Sequence, residues 1–175
     1  MFKKLAIIGK SAWYWLALVL IGLSFEGVAL FYQHVLDELP CVLCIHVRLL
    51  VLAVILVALA ALFLRHFKWP NVLAHLLTVL AAAGLLERSY QLLGTERGFT
   101  FSDCGLDLGL PDWLALESWF PPVFKVQTSC GYTPELLFGI TMAEALIVMS
   151  AVFVLISLVL TLAAVIVKNN NNNRI

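Results

Sequence analysis

Charged residues are scarce in this 175-residue sequence, whereas hydrophobic residues are abundant. Asp, Glu, Lys and Arg together make up 13% of the chain, and hydrophobic residues make up 62%. A soluble domain has about a quarter charged residues and about half apolar residues. Because the apolar excess is gathered in long runs, the composition predicts an integral membrane protein rather than a soluble domain.

Motifs for several kinds of chemistry are also missing. The sequence contains no glycine-rich phosphate loop, no HExxH zinc motif and no serine nucleophile elbow. It has no basic patch of the kind that indicates nucleic-acid binding. Its four cysteines are therefore the clearest candidates for residues that take part in a reaction.

Four apolar segments are long enough to cross a membrane. They cover about residues 12–32, 44–64, 72–90 and 142–167. The connections between them cover residues 33–43, 65–71 and 91–141. Residues 168–175 include five consecutive asparagines and are expected to be disordered. The predicted fold class is all-α, a single four-span membrane domain in which residues 1–175 form a four-helix bundle with a long periplasmic loop.

The first apolar segment has an alternative interpretation, because a basic N-terminus precedes it. Cleaved signal peptides share that pattern. Aromatic residues stand at both ends of the segment, Trp13, Tyr14 and Trp15 at one end and Phe31 and Tyr32 at the other. Aromatic belts of this kind are typical of a membrane span, so the sequence favours a retained first span.

Acidic residues are absent from the N-terminus, from the turn at 65–71 and from the tail. These three segments together hold seven basic residues: Lys3, Lys4, Lys10, Arg65, Lys68, Lys168 and Arg174. The positive-inside rule therefore predicts a multi-pass protein with both termini in the cytoplasm. Four spans then place all four cysteines on the outer side, and in a bacterium, where this membrane would be the inner membrane, that side is the oxidising periplasm in which disulfides are stable.

Two cysteines lie at the entrance of the second apolar segment, in the stretch PCVLCIHVR at residues 40–48. A helix that begins near Pro40 places Cys41 and Cys44 one turn apart, close enough to form a disulfide. The helix N-terminus favours a thiolate. Arg48 follows Cys44 by one turn, and an arginine at a membrane edge usually meets an anion. The stretch predicts a redox-active dithiol.

The other two cysteines, Cys104 and Cys130, lie in the long outer segment. Between them, residues 112–120 predict a short amphipathic helix, either in the membrane interface or packed on the protein's own surface. Small and polar residues flank both cysteines, which favours an accessible disulfide that a partner's thiolate can attack. A structural disulfide is an alternative. A four-cysteine zinc site fits less well, because only one pair has zinc-ribbon spacing and the periplasm oxidises thiols.

The stretch PCVLCI at residues 40–45, followed by Arg48, resembles the signature of the DsbB family, the bacterial disulfide-bond formation proteins. The resemblance extends to FYQHV at residues 31–35, to PDWLALESWFPPVF at residues 111–124, and to the number of spans. It covers about residues 12–167. It implies a four-helix membrane bundle that oxidises a soluble periplasmic dithiol oxidase, DsbA-like, and passes the electrons to a membrane quinone.

The resemblance also implies roles for single residues. Cys104–Cys130 would be the pair that meets the partner, and Cys41–Cys44 would regenerate it and reduce ubiquinone or menaquinone. Cys44 would be the thiolate nearest the quinone, and Arg48 the cation beside it. Four further candidates for the quinone site are His34, His46, Arg88 and Gln91. No metal is expected.

Two features depart from the family pattern. Val47 stands where many members have an acidic residue, and residues 91–141 contain no histidine, although some members have one there. Two other functions stay open. A vitamin K epoxide reductase-like protein has similar chemistry, but its outer cysteine pair precedes the CxxC motif in the chain. A non-catalytic membrane scaffold with structural disulfides predicts no dependence on quinone.

Carboxylates within the apolar segments are also informative. A charged group inside a membrane is costly, so Glu26 and Glu144 are expected to lie near the outer edge or to find partners.

Overall fold

Four long helices make up most of the computed structural model, which describes residues 2–64, 66–100, 105, 108–111, 115–137 and 139–172. The long helices are α2 (Ala12–Val35), α3 (Val42–Leu64), α4 (Lys68–Arg97) and α7 (Met142–Asn172). All four are long and apolar enough to cross a membrane. The prediction of an all-α membrane four-helix bundle is confirmed.

A short helix, α1 (Phe2–Lys10), precedes the first span and packs against α7. Ser11 separates it from α2, and the Ser11 hydroxyl accepts a hydrogen bond from the Trp13 N–H at 3.3 Å. A serine in this position satisfies one of the free N–H groups at a helix start. The carbonyl of Gly9 lies 3.0 Å from Nε2 of the buried His75, so the N-terminal segment is fixed to α4 as well.

Helix α4 is longer than the apolar segment at 72–90. Its polar C-terminal part stays helical because side chains pair along the helix: Arg88 Nη1 donates to Gln91 Oε1, and Gln91 Nε2 donates to Glu87 Oε1. The helix ends at Gly98, whose φ of 74° is left-handed and suits glycine. Hydropathy thus identified the buried middle of the helix rather than the point where helical hydrogen bonding stops.

The end of α7 differs from the sequence-based expectation. The tail over 168–175 was expected to be disordered, but the helix continues through Asn172, because an established helix adds residues at low cost. Residues 173–175 lie outside the described part of the chain.

The sequence predicts an amphipathic helix over 112–120 in the outer segment. Of this range the structure describes residues 115–120, which contain one single turn, α5 (Leu116–Trp119). A second single turn, α6 (Pro121–Phe124), follows it. Pro121 lacks an N–H and suits a first turn, so it ends one helix and begins the next. Trp113 and the rest of 112–114 lie outside the described residues. The predicted location of this segment in the membrane interface stays a prediction.

A small hairpin completes the outer segment, formed by β1 (Glu135–Leu137) and β2 (Ile140–Thr141). Glu96 near the end of α4 holds it, because its Oε2 accepts hydrogen bonds from the hydroxyls of Thr133 and Thr141. Glu144 has the partners that a carboxylate in an apolar segment is expected to need. It accepts a hydrogen bond from the Thr141 N–H at 3.2 Å and forms an ion pair with Arg97.

Two groups of buried side chains form the interior. One lies at the end where α3 begins and contains Cys41, Val42, Leu43, Ile45, Leu92, Leu108, Phe124, Val126 and Ala143. The other joins α2, α3 and α4 and contains Trp15, Val19, Ile55, Ala58, Ala61 and Ala74. The first group supports the site described next.

Candidate redox site

Cys41 and Cys44 lie at the start of α3, as the sequence predicted for a dithiol one helical turn apart. Cys41 is buried, Cys44 is half-buried, and both are free thiols. The Cys44 N–H donates to Cys41 Sγ at 3.3 Å. The Cys41 thiol also hydrogen-bonds to the sulfur of Cys44. This second bond and burial raise the pKa of Cys41 well above its usual range and outweigh the backbone N–H bond, which lowers it. Cys41 is therefore the protonated sulfur of the pair.

The loop that carries Cys130 runs directly beside Cys41. Thr128 forms a parallel β-bridge with Cys41, and the Gln127 N–H donates to the Pro40 carbonyl at 3.0 Å. Cys130 follows two residues later and packs against the buried group that contains Cys41. The backbone thus holds one cysteine of the outer segment next to one cysteine of the CxxC motif, which sequence spacing alone did not reveal.

Cys130 itself is disulfide-bonded. Cys104 lies outside the described residues, so the pairing of Cys104 with Cys130 stays a prediction.

A cavity of about 140 Å³ opens between α2, α3 and α7, and of the two cysteines of the dithiol only Cys44 is among its described lining residues. Its wall is mostly apolar, with contributions from Val51 on α3 and from Met142 and Leu146 on α7. Cys44 and Arg48 also line it. A largely apolar cavity with a few convergent polar groups is the usual form of a small-molecule site.

Arg48 is 7% exposed and is held by three oxygen atoms. Its Nη1 donates to Gln33 Oε1 at 2.5 Å and to the Val123 carbonyl at 3.0 Å, and its Nη2 donates to the Ala29 carbonyl at 2.9 Å. These bonds fix the guanidinium between α2, α3 and α6. All three acceptors are neutral, so the positive charge stays available to an anion, and it already interacts electrostatically with Cys44.

The other four candidates for the quinone site lie elsewhere. His34 is exposed, and His46 Nε2 lies 3.1 Å from the Leu108 carbonyl. Arg88 and Gln91 bond to each other on α4. None of these four described side chains lines the cavity. Each residue turns a helix by about 100°, so the side chains of Cys44 and His46 point in nearly opposite directions, about 160° apart. By the same rotation, His34 points away from the face that buries its neighbour Gln33.

Two polar residues of the site were not among the candidates from the sequence. Gln33 is buried, accepts from Arg48 and donates through Nε2 to the Pro122 carbonyl at 2.9 Å. Glu26 is 9% exposed and lines the cavity with Gln33. The signal that points to them is spacing, because residues 26, 29 and 33 share one face of a helix.

Comparison with known proteins adds the family. The family model for disulfide bond formation protein DsbB matches residues 11–160. The chain belongs to the DsbB family. The disulfide bond formation protein B of Shewanella loihica is 36% identical over 135 residues, which cover 77% of this chain and 79% of that protein. The protein of the same name from Psychromonas ingrahamii is 30% identical over 167 residues, covering 93% and 88%.

Membership in the DsbB family confirms the resemblance found in the sequence. Together with the four long helices, it identifies a multi-pass membrane protein with an oxidoreductase role in disulfide bond formation. It favours this DsbB-type role over the vitamin K epoxide reductase-like protein and over the non-catalytic scaffold.

Proposed function

We propose that this protein re-oxidises a DsbA-like periplasmic dithiol oxidase and passes the electrons to a membrane quinone. One observation carries the proposal: the dithiol lies between two different surroundings. Cys41 is bridged to the loop that carries Cys130, while Cys44 lines the apolar cavity beside Arg48. Electrons that enter from the outer loop thus have a short route to the cavity.

The residues of the cavity fit a quinone. The wall is apolar and lies between membrane helices, which suits a lipid-soluble ring. A quinone, when bound, accepts two electrons and two protons. Arg48 is fixed by three hydrogen bonds, so it stabilises negative charge on an oxygen atom without first reorganising. Cys44 is the sulfur that faces this space. Either ubiquinone or menaquinone meets these requirements.

The exchange reactions follow the order of the cysteines. A thiolate of the partner attacks the Cys104–Cys130 disulfide and forms a mixed disulfide, which resolves to leave the partner oxidised and the loop pair reduced. A loop thiolate then attacks Cys41, beside which the loop is hydrogen-bonded. The Cys41–Cys44 bond breaks, and Cys44 is released as a thiolate next to Arg48. The second loop thiolate then attacks the mixed disulfide, which re-forms Cys104–Cys130 and leaves Cys41 and Cys44 as a dithiol. When the Cys41–Cys44 disulfide forms again, the dithiol has lost two electrons and two protons.

The direction of electron flow has an energetic reason. DsbA-type oxidases are strong oxidants because their reduced form is stabilised, so only a stronger acceptor re-oxidises them. A membrane quinone supplies that acceptor, and successive mixed disulfides keep the electrons from other thiols.

The proposed orientation places both termini in the cytoplasm and the cysteines in the periplasm. Basic residues collect at the termini and near the turn between α3 and α4, whereas Cys41, Cys44 and Cys130 lie at the opposite end of the bundle. Both features support this orientation under the positive-inside rule.

The experiment that tests the proposal uses the purified full chain in lipid. A reduced thioredoxin-fold dithiol oxidase is mixed with the protein, with and without quinone, and its oxidation is followed. Quinone should support many turnovers in the wild type and none in Cys44→Ser. Equal oxidation with and without quinone in the absence of oxygen would exclude the proposed acceptor.

A further inference from the structure

Among the described titratable residues of the cavity that the proposed exchange does not use, Glu26 is the buried one. It lies on α2, two turns before Gln33, and faces the same cavity as Cys44 and Arg48. The residue is 9% exposed. Its Oε1 is buried and has no hydrogen-bond partner among the described residues. An unpartnered buried carboxylate oxygen is costly, so the structure demands an explanation for this side chain.

The surroundings of Glu26 define what it can do. Arg48 and Cys44 on α3 line the same cavity, and Tyr32 and Glu38 are the other titratable residues of the described wall. The described wall residues of α7 are uncharged: Met142, Ala145, Leu146 and Met149. Arg48 interacts electrostatically with Glu26 but directs its described hydrogen bonds to three neutral oxygens instead. Glu26 therefore interacts with a cation but forms no ion pair with it among the described contacts.

We propose that Glu26 is the proton donor of the cavity: it holds a proton on its carboxyl group and donates it to an oxygen of the reduced quinone. This inference rests on the proposed function. Oxidation of the Cys41–Cys44 dithiol releases two electrons and two protons, and the quinone takes up both. Glu26 gives one proton to one quinone oxygen and takes one from the dithiol, so its own protonation is unchanged after each turnover. The other quinone oxygen takes up the second proton that the dithiol releases.

Two physical features support a donor at this position. Before electrons reach the cavity, a protonated carboxyl avoids the free-energy cost of a buried charge. Its O–H is a hydrogen-bond donor. After the proton leaves, the carboxylate lies close to the Arg48 guanidinium, which stabilises it. The same cation thus serves the reduced quinone and the donor in succession.

The test compares Glu26→Gln with Glu135→Gln in the full chain with bound quinone. Glutamine has nearly the same size as glutamate but has no acidic proton. Glu135 is an exposed carboxylate between two wall residues, Pro134 and Leu136, and does not line the cavity itself. Infrared difference spectra between the oxidised and reduced protein detect a protonated carboxyl by its C=O band.

The wild type and Glu135→Gln should show a carboxyl C=O band that changes on reduction, and Glu26→Gln should lack it. Quinone-dependent turnover of Glu26→Gln should fall about 100-fold, the scale of a lost general acid, while single-turnover oxidation of the partner is little changed. A band that persists in Glu26→Gln, or turnover equal to the wild type, would overturn the assignment.

The failure of this inference is distinguishable from failure of the proposed function. If quinone does not support turnover even in the wild type, the proposed function fails and the inference fails with it. If the wild type depends on quinone and Glu26→Gln behaves identically, only the assignment of the proton donor is wrong.

Discussion

At the scale of single residues, the site depends on a cation that is fixed but not neutralised. Arg48 is held by Gln33 and by two backbone carbonyls, and none of these acceptors carries a charge. A buried arginine that paired with a carboxylate would have little effect on a nearby thiolate. Under the proposed function, the charge of Arg48 acts on Cys44 and on an electron acceptor in the cavity.

Gln33 is the residue whose loss should disturb this arrangement most directly. Gln33→Leu removes an acceptor from Arg48 and leaves the Pro122 carbonyl without its donor, so we expect a loss of about 1–3 kcal/mol in stability. His34→Ala is the matched control, because His34 is exposed on the same helix and should change stability by less than about 0.5 kcal/mol. Thermal unfolding in detergent measures both. Equal losses in the two variants would contradict the role of Gln33.

Cys41 leads to a prediction about pH. Because its pKa is raised, Cys41 in the reduced protein should stay protonated and unreactive through neutral pH, and its thiolate should appear only as the pH rises above that of an ordinary thiol. Peptide mass spectrometry after timed alkylation at several pH values measures this. The denatured protein is the control, since Cys41 should titrate normally there. Identical pH profiles in the folded and denatured protein would show that the fold does not protect Cys41.

At the scale of helices, the sequence predicted which segments would be buried in the membrane but not where each helix would end. Hydropathy located the apolar middle of α4, whereas pairing among Glu87, Arg88 and Gln91 extends its polar end. The boundary between α5 and α6 follows from Pro121, a local signal that was present in the sequence. The bridge between Cys41 and Thr128 joins residues far apart in the chain, so local patterns carried no signal for it.

The packing of α2 on α3 should depend on Gly22. A Cβ atom at this position would lie 2.5 Å from Ile55 Cγ1, so Gly22→Leu should force the helices apart and cost about 1–3 kcal/mol. Gly27→Leu is the control on the same helix, because nothing lies within 4 Å of a Cβ placed there. Thermal unfolding of the two variants should therefore differ. A control that unfolds as early as Gly22→Leu would mean that helix propensity, not packing, sets the effect.

At the scale of the whole molecule, most basic residues lie at the end of the bundle opposite the described cysteines. The sequence predicted the four spans, the dithiol, Arg48 and the family, because each is visible as a local pattern. It did not separate Cys44 and Arg48 from His34, His46, Arg88 and Gln91, because that requires knowing which helix faces meet. The spacing of Glu26 and Gln33 places them on one face of α2, but only the packing of α2 on α3 shows that this face meets Cys44 and Arg48.

The topology should follow this polarity. Reduced cysteines in intact cells should react with a membrane-impermeant thiol reagent from the periplasmic side. A cysteine introduced by His66→Cys, in a variant without the native cysteines, should react only after the inner membrane is opened, because the turn between α3 and α4 is expected to be cytoplasmic. Labelling of His66→Cys in intact cells would reverse the proposed orientation.

The central claim is that Cys44 and Arg48 form the place where electrons leave the protein, and Arg48 variants test it most directly. Quinone-dependent turnover and single-turnover oxidation of the partner are measured in Arg48→Ala and Arg48→Lys, with thermal unfolding as the check on folding. A lost hydrogen bond to a charged group is worth about 1.5–3 kcal/mol, so quinone use should fall at least about tenfold in Arg48→Ala. Arg48→Lys should recover only part of it, because a point charge replaces a planar fork. Single-turnover oxidation of the partner should be little changed. If folded Arg48→Ala uses quinone as the wild type does, the account of this site is contradicted.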